Sequence, residues 1–304
     1  MKLKQLPEDF YVQEIYHPAL ADNGCFACFL LKKKEWGTLD ALSAIATALH
    51  ADIRRFGIAG MKDKRGITEQ YVSGYRITKS AVEQVKIRNI ELTFLGYLKE
   101  RITLGELEGN HFRIVVRDLA EERKIDPVKK ILNLFDYQRF GKDMKNIEVG
   151  RAFVQGDYNK VCEHLKIDAE GNDYIGALRK VNRRILRFLV SSYQSHLWNE
   201  AVQQLKSDYA AVPILGYLTE LKGEVGEAYK VLMENEEIKQ ENFLMKSIPE
   251  LSSEGNERKM FVELKNFSCT WGEDNHNKNN YKCILEFDLG KGQYATHVVK
   301  TLFQ

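Results

Sequence analysis

The spacing of apolar residues changes twice along this chain of 304 residues. Up to about residue 130, and again after about residue 258, apolar and polar side chains alternate in short runs, which is typical of strands. In the middle region the apolar residues recur at intervals of three and four, which indicates helices. This order predicts an α+β fold in which a discontinuous domain, residues 1–130 and 259–304, is interrupted by a mostly helical insertion, residues 131–258.

Several elements can be placed individually. Helices are expected at about 39–50, with Thr38 as the N-cap, from Pro127 to about Phe135, and over 183–205, the longest of the three. Two strands are expected between Asp9 and Lys32. Further strands are expected at 56–60, 67–76, 90–98, 111–118, 260–264, 282–289 and 295–301, with His297 in the last one.

Charge is unevenly distributed, although the net charge is only +2. Basic residues cluster at 32–34, 54–55, 62–65 and 179–184, whereas 220–241 is acid-rich. Such asymmetry permits a phosphate-binding face, although a charge run is more often solvated surface. No run of about 18 apolar residues occurs and the N-terminus carries no apolar segment, so neither a membrane span nor a signal peptide is expected. The expected location is the cytoplasm.

The cysteines and the common cofactor motifs point away from metal and nucleotide chemistry. Five thinly spread cysteines argue against a disulfide framework. Cys25 and Cys28 form a C-x-x-C, but in a strand residues three apart point to opposite faces, and no second Cys/His pair has zinc-site spacing. The motifs G-x-x-x-x-G-K-[ST], G-x-G-x-x-G and H-E-x-x-H do not occur. We therefore expect neither a metal nor a nucleotide cofactor.

Residues 60–70 form the densest polar segment of the chain. One carboxylate, Asp63, lies among the cations Lys62, Lys64 and Arg65, between two glycines. Nearby cations favour the ionised carboxylate that nucleophilic attack requires. Glycines allow a nucleic-acid backbone to approach closely. The plain alternative, which composition alone favours, is a charged surface loop with an internal ion pair.

Six segments, read together and in order, resemble the TruD family of pseudouridine synthases. They are residues 4–12 (K-x-x-P-E-D-F-x-V), 60–70 (G-x-K-D-[KR]-x-[AG]-x-T-x-Q), 109–112 (G-N-x-F), 138–141 (Q-R-F-G), 191–199 and 289–298. Their order over nearly the whole chain outweighs the plain alternative for Asp63. The segment between Asn199 and Gly255 is short for the family.

The resemblance implies a pseudouridine-synthase-like fold with a mixed, mainly antiparallel sheet and flanking helices. It also implies a tRNA pseudouridine synthase that isomerises a uridine, usually at position 13, without a cofactor and with Asp63 as the catalytic nucleophile. By the same resemblance, Lys4 pairs with Asp63, Asn110 orients the loop or the base, and Phe112 lies against the flipped uracil. Thr68 and Gln70 hold the motif in shape. Lys62, Lys64, Arg65, Arg139 and Phe140 are the expected RNA contacts.

The expected partner is tRNA, and the chain is expected to act as a monomer away from membranes. Two other functions stay open at this point. One is a catalytically silent RNA-binding protein on the same fold, and the other is an unrelated hydrolase with Asp63 as its nucleophile. For Phe112, the rival to base stacking is plain core packing, because Ile114 and Val116 share its strand face.

Overall fold

A computed structural model describes residues 1–126 and 130–304 of the chain. Its contacts define two compact units. The first comprises Met1–Lys129, Glu263–Ala295 and Leu302–Gln304, and the second comprises Lys130–Val262 and Thr296–Thr301.

The strands are β1 (Phe10–Ile15), β2 (Phe26–Lys34), β3 (Phe56–Ile58), β4 (Ile67–Tyr75), β5 (Ile90–Leu98), β6 (Gly109–Leu119), β7 (Ile131–Leu132), β8 (Ala211–Ile214), β9 (Asn256–Lys259), β10 (Phe261–Val262), β11 (Lys265–Glu273) and β12 (Tyr281–Gly290). The helices are α1 (Thr38–Ala48), α2 (Lys79–Gln84), α3 (Lys145–Gln155), α4 (Tyr158–Leu165), α5 (Tyr174–Arg179), α6 (Arg183–Gln204), α7 (Gly223–Asn235) and α8 (Ala295–Leu302). Short 3-10 turns connect several of them.

The first unit is built on a mixed sheet. Among the described residues it has eight strands, in the order β11-β12-β6-β1-β4-β2-β5, and β3 pairs with β4. Only the β1–β4 pair is parallel among these described strands. The α+β fold with a mainly antiparallel sheet, expected from the sequence, is therefore confirmed.

The two faces of this sheet have opposite character because successive side chains of a strand point to opposite sides. On one face, Phe29 and Val72 pack with Ile45 of α1 in a buried apolar cluster. The other face carries cross-strand ion pairs, such as Arg113–Glu286 at 3.4 Å and Lys32–Glu69 at 3.2 Å. The sheet thus has a covered face, which packs against α1, and a charged face, which also carries a smaller apolar cluster that includes Cys28 and Tyr71. On β6, Phe112, Ile114 and Val116 are buried as expected, but Val115 and Arg117 on the other face are buried too.

The second unit is organised around α6. Its buried side chains recur every three or four residues, at Leu186, Leu189, Tyr193, Leu197 and Ala201. This is the spacing that predicted the helix, and the prediction is confirmed. The helix also bears Trp198, which is fully buried and donates a 3.0 Å hydrogen bond from Nε1 to the carbonyl oxygen of Val212. No helix in the described ranges is long and apolar enough to cross a membrane.

Some predicted elements are wrong. Residues 295–301 form helix α8 rather than a strand, because Ala295, Val298, Val299 and Leu302 are buried at helical spacing. Periodicity in a run this short does not separate helix from strand. His297 lies on this helix, where its Nε2 is 3.0 Å from the carbonyl oxygen of Leu132, and burial lowers its pKa.

Three further differences concern strands and a cap. The predicted helix starting at Pro127 begins outside the described residues, and Ile131–Leu132 pairs as a strand with β10. Strand β11 was not predicted, although Phe267, Cys269 and Trp271 alternate along it. The N-cap of α1 is Gly37, because the hydroxyl of Thr38 is used elsewhere.

Candidate active site

Asp63 lies in the loop that joins β3 to β4. The Nζ of Lys4 is 2.7 Å from its Oδ2, which is the pairing that the resemblance implies. The side chain of Asp63 is 44% exposed and that of Lys4 is 15% exposed. The result is a carboxylate that is held on one side and open to a reactant on the other.

Buried polar side chains hold the loop in shape. The main-chain N–H of Lys62 donates to Oγ1 of Thr38 at 2.9 Å, and Nε2 of Gln70 donates to the carbonyl oxygen of Gly60 at 3.1 Å. Thr38 and Gln70 are buried and bonded to each other at 2.9 Å. Gln70 therefore lies where the expected supporting role requires it. The Oγ1 of Thr68 is also buried but has no hydrogen-bond partner among the described residues.

Gly66 closes the loop where β4 begins beside β1. Its φ of +127° is one that residues other than glycine rarely adopt, and a Cβ at this position would overlap the carbonyl oxygen of Phe10. A glycine is needed here because the two parallel strands approach so closely. The second glycine of the segment thus serves the fold, whereas the sequence interpretation assigned it to RNA approach.

Lys62 does not fit its predicted role as a phosphate contact. Its ammonium pairs with Glu14, and the two side chains are 5% and 0% exposed. Glu14 also accepts a 3.0 Å hydrogen bond from the main-chain N–H of Tyr71. A cation buried against its own carboxylate is not available to RNA, so this prediction is corrected. Lys64 and Arg65 are exposed, and neither forms an ion pair within the described part of the chain.

Lys33 is a site residue that the sequence interpretation missed. It is 1% exposed, and its Nζ donates to the carbonyl oxygens of Asp63 at 2.9 Å and of Trp36 at 2.7 Å. Burial lowers the pKa of Lys33 to about 8, with an opposing effect from Asp63 and a further lowering from Lys62. The signal was present in the sequence, because Lys33 alternates with Leu31 and Phe29 on the covered face of β2.

This lowered pKa predicts that the wild-type protein gains stability relative to Lys33→Met as pH rises from about 8 to 10.5. In that window the folded state binds fewer protons than the unfolded state, so the unfolding free energy rises with pH. The free-energy cost of burying the charged ammonium of Lys33 is fully present below pH 8, where it is on the order of 3 kcal/mol. This cost disappears above pH 10.5, where the side chain is neutral in both the folded and the unfolded state. Urea unfolding of both proteins at neutral pH and near pH 9.5 measures the stability difference between wild type and Lys33→Met. If this difference is the same at the two pH values, the expectation is contradicted.

Phe112 and Asn110 lie on the covered face of β6. Phe112 is 7% exposed, stacks on Phe287 at 5.7 Å between ring centroids, and meets the edge of Phe10 at 6.2 Å. Lys4 lies over the ring of Phe10, with Nζ 3.7 Å from its centroid. The Oδ1 of Asn110 is buried and has no hydrogen-bond partner among the described residues. A line of contacts thus runs from Asp63 through Lys4 and Phe10 to Phe112.

The N-terminal segment that carries Lys4 is anchored by buried charges from distant parts of the chain. Arg117 contacts Asp9 at 2.8 Å and Asp274 at 2.9 Å. The main chain of Arg117 also pairs with that of Lys2, two residues before Lys4. No local pattern in the sequence indicated this anchor, because its three charges come from separate regions of the chain.

Arg139 and Phe140 belong to the second unit. The guanidinium of Arg139 donates to Oγ of Ser195 at 2.6 Å and to Oγ of Ser191 at 3.1 Å. Phe140 is 4% exposed and packs edge-on against His196. The packing of this ring within the second unit does not support the expected RNA contact at Phe140, so that prediction is corrected. Arg139 is half-buried, and the serines already occupy two of its nitrogens.

The start of α6 presents a basic surface. From residue 174 to 199 the chain has five Lys and Arg residues and no acidic one. Arg183 and Arg184 are exposed, and no ion pair involves them in the described ranges. Two large apolar side chains, Ile185 and Phe188, are exposed beside them, by 50% and 42%. Cations next to an exposed aromatic ring suit nucleic-acid phosphates and bases.

A family model for tRNA pseudouridine synthase D (TruD) matches residues 1–170 and 206–302. The segment 191–199, one of the six resembling segments, lies outside these matched residues. A tRNA pseudouridine synthase D of Aquifex aeolicus is 28% identical over 382 positions, which cover 100% of this chain and 98% of the relative. A probable tRNA pseudouridine synthase D of Methanosarcina mazei is 26% identical, with 98% and 92% covered. That alignment runs over 406 positions, so this chain of 304 residues lacks residues that the relative has.

A solved structure gives the same result at the level of the fold. A crystal structure from Methanosarcina mazei, described as a candidate TruD protein, superposes with a TM-score of 0.77. It is 24% identical in sequence, and the match covers 98% of this chain and 92% of the other. The two chains therefore share one fold.

Proposed function

The chain belongs to the TruD family of tRNA pseudouridine synthases, and from this premise we propose that it converts a uridine of tRNA to pseudouridine with Asp63 as the catalytic carboxylate. An enzyme of this family is an isomerase. The observation that carries the assignment of Asp63 is its geometry: a carboxylate that is paired with Lys4, nearly half exposed, and set in a loop held by buried hydrogen bonds. The target at position 13, the monomeric state and the cytoplasmic location stay predictions.

The reaction breaks the bond between the ribose and N1 of uracil, rotates the base and rejoins it through C5. No electrons and no groups are gained or lost overall, so neither ATP, metal nor nicotinamide is chemically required. In our proposal, Asp63 attacks the substrate or assists cleavage and the later removal of the C5 proton. Lys4 fixes the direction of the carboxylate through their 2.7 Å contact.

We propose that Asn110 and Phe112 form the wall against which the extruded base lies. A paired base must first leave its stack, at a cost of a few kcal/mol. The unpartnered Oδ1 of Asn110 is a buried hydrogen-bond acceptor, which a uracil N–H would satisfy. Phe112 supplies an aromatic surface, although most of its ring already packs on Phe10 and Phe287.

We further propose that residues 1–130 and 259–304 form the catalytic domain and that residues 131–258 form the insertion domain. The division of the chain into two compact units supports this assignment, with residues 296–301 grouped with the second unit. Cations of both units then serve as phosphate contacts. In the first unit these are the exposed Lys64 and Arg65, and in the second they are the half-buried Arg139 and the exposed basic start of α6.

A single assay tests the function. The protein is incubated with unmodified tRNA, without added metal or nucleotide, and pseudouridine is detected by carbodiimide labelling. Labelled pseudouridine at one position is the expected result. Binding of tRNA without any label would favour the silent RNA-binding alternative. Release of a fragment or of free base, with no pseudouridine, would favour a hydrolase.

We expect Arg65→Ala to weaken tRNA binding and to flatten its dependence on salt. When a phosphate contact is lost, fewer counterions are released on binding. The slope of log affinity against log salt then becomes less negative by about 0.9 or less. Lys79→Ala is the control, because Lys79 is an exposed cation of the same unit that already pairs with Glu83. Affinities at several salt concentrations measure both slopes, and equal slopes for Arg65→Ala and wild type would exclude Arg65 as a phosphate contact. The same measurement on Arg184→Ala tests the surface on α6.

A further inference from the structure

Lys33 is a buried cation whose hydrogen bonds join two turns of the first unit. One acceptor is the carbonyl oxygen of Trp36, in the turn before α1, and the other is that of Asp63 itself. Lys33 is therefore bonded to the main chain of the proposed catalytic residue, 30 positions away in sequence. Its neighbours on β2, Lys32 and Lys34, pair with Glu69 and Glu8 and remain partly exposed.

The fold does not by itself require a cation at this position. Burying an ammonium removes it from water at a cost in free energy that an apolar side chain of similar size would not incur. The hydrogen bonds of the ammonium act in the opposite direction, because the carbonyl oxygens of Asp63 and Trp36 lose this donor when Lys33 is replaced. The residues opposite Lys33 on β4 and β5 are Thr68 and Ile90, which carry no charge. The charged groups that act on it are Asp63 and Lys62, both in the loop. Its charge is thus directed at the loop.

We propose that Lys33 is a positioning residue for the reaction: its ammonium fixes the main chain of Asp63 so that the carboxylate stays in register with Lys4 and the bound uridine. This inference rests on the proposed function of Asp63. Lys4 then holds the carboxylate itself, while Lys33 holds the backbone of the same residue from the core. Without Lys33, the carbonyl of Asp63 loses its buried donor and the loop gains freedom to turn the carboxylate away.

A purely structural clamp makes a different prediction from a positioning residue. A clamp stabilises the fold, so its removal lowers the melting temperature and leaves the chemistry of the folded molecules unchanged. A positioning residue affects the chemical step, while stability and RNA affinity stay close to those of the wild type. Lys33→Met separates the two, because Met fills a similar volume without a charge or a donor.

The experiment compares wild type, Lys33→Met, Lys32→Met and Asp63→Asn in the full chain with unmodified tRNA. For Lys33→Met we expect a single-turnover rate about 10- to 100-fold below wild type, the range for losing a hydrogen bond from a charged donor. Its melting temperature at neutral pH should stay close to that of the wild type, because removing the buried charge offsets the two lost hydrogen bonds, and its Kd for tRNA should be unchanged. Lys32→Met, on the charged face of the same strand, should match the wild type in all three measurements.

A wild-type rate for Lys33→Met would overturn the proposal. So would failure to fold or a clearly lower melting temperature, since these show a structural role. Failure of the underlying function is recognised separately. If the wild type forms no pseudouridine, or if Asp63→Asn keeps its activity, the assignment of Asp63 falls. If the wild type is active, Asp63→Asn is inactive and Lys33→Met is normal, only the inference on Lys33 falls.

Discussion

We expect Asp63→Asn to abolish pseudouridine formation, while the protein keeps its fold and its affinity for tRNA. Asn preserves the size of the side chain but can neither attack nor accept a proton as a carboxylate does. Losses on removing a nucleophile are commonly about a thousandfold or far more. The side chain is nearly half exposed and contributes to the fold mainly through its contact with Lys4. Partly exposed ion pairs add little stability.

Asp52→Asn is a matched control for this variant. Asp52 is 43% exposed, against 44% for Asp63, and pairs with Arg54 at 2.5 Å in the same unit. The Asp52→Asn variant therefore loses a similar ion pair, but outside the loop that carries Asp63. Rates are measured under single-turnover conditions, with melting curves and tRNA affinities for both variants. More than a few per cent of the wild-type rate in Asp63→Asn would show that another group performs the chemistry.

Phe112→Ala should cost about 3–5 kcal/mol of folding stability. The ring is 7% exposed and packs between Phe10 and Phe287, so truncation leaves a cavity in the covered face of the sheet. Chemical denaturation measures the loss. A loss well below this range would mean that the packing of Phe10 and Phe287 contributes little through Phe112. The ring of Phe112 would then be available to stack on a base.

Phe112→Leu tests the catalytic part of the same proposal. Leu keeps the site apolar and nearly filled, so the stability should change far less than in Phe112→Ala. A base stacked on Phe112 would lose about 1–3 kcal/mol of binding energy, which lowers turnover by about fivefold to 150-fold. Ile114→Ala is the control, because Ile114 is fully buried on the same face of β6. It should be destabilised with normal turnover. Normal turnover in Phe112→Leu would leave Phe112 as a core residue only.

Much of the fold could be read from local patterns. The alternation along 111–118 and the intervals of three and four along 183–205 each match an element of the structure, β6 and α6. Such patterns are readable because the backbone geometry of a strand or helix fixes which side chains share a face. Where a segment is short, as in α8, the same reasoning gave the wrong element.

The candidate site likewise has features that the local sequence determined and features that only the tertiary structure decided. The sequence by itself determined the family, the chemical type of the site and the loop that carries Asp63, because these depend on residue types in a fixed local order. Only the tertiary structure decided the partners: Glu14 for Lys62, the carbonyl of Asp63 for Lys33, and core neighbours for Phe140. These contacts join residues of different elements. Burial and ion pairing at each position therefore depend on which elements pack together, and no local spacing encodes that.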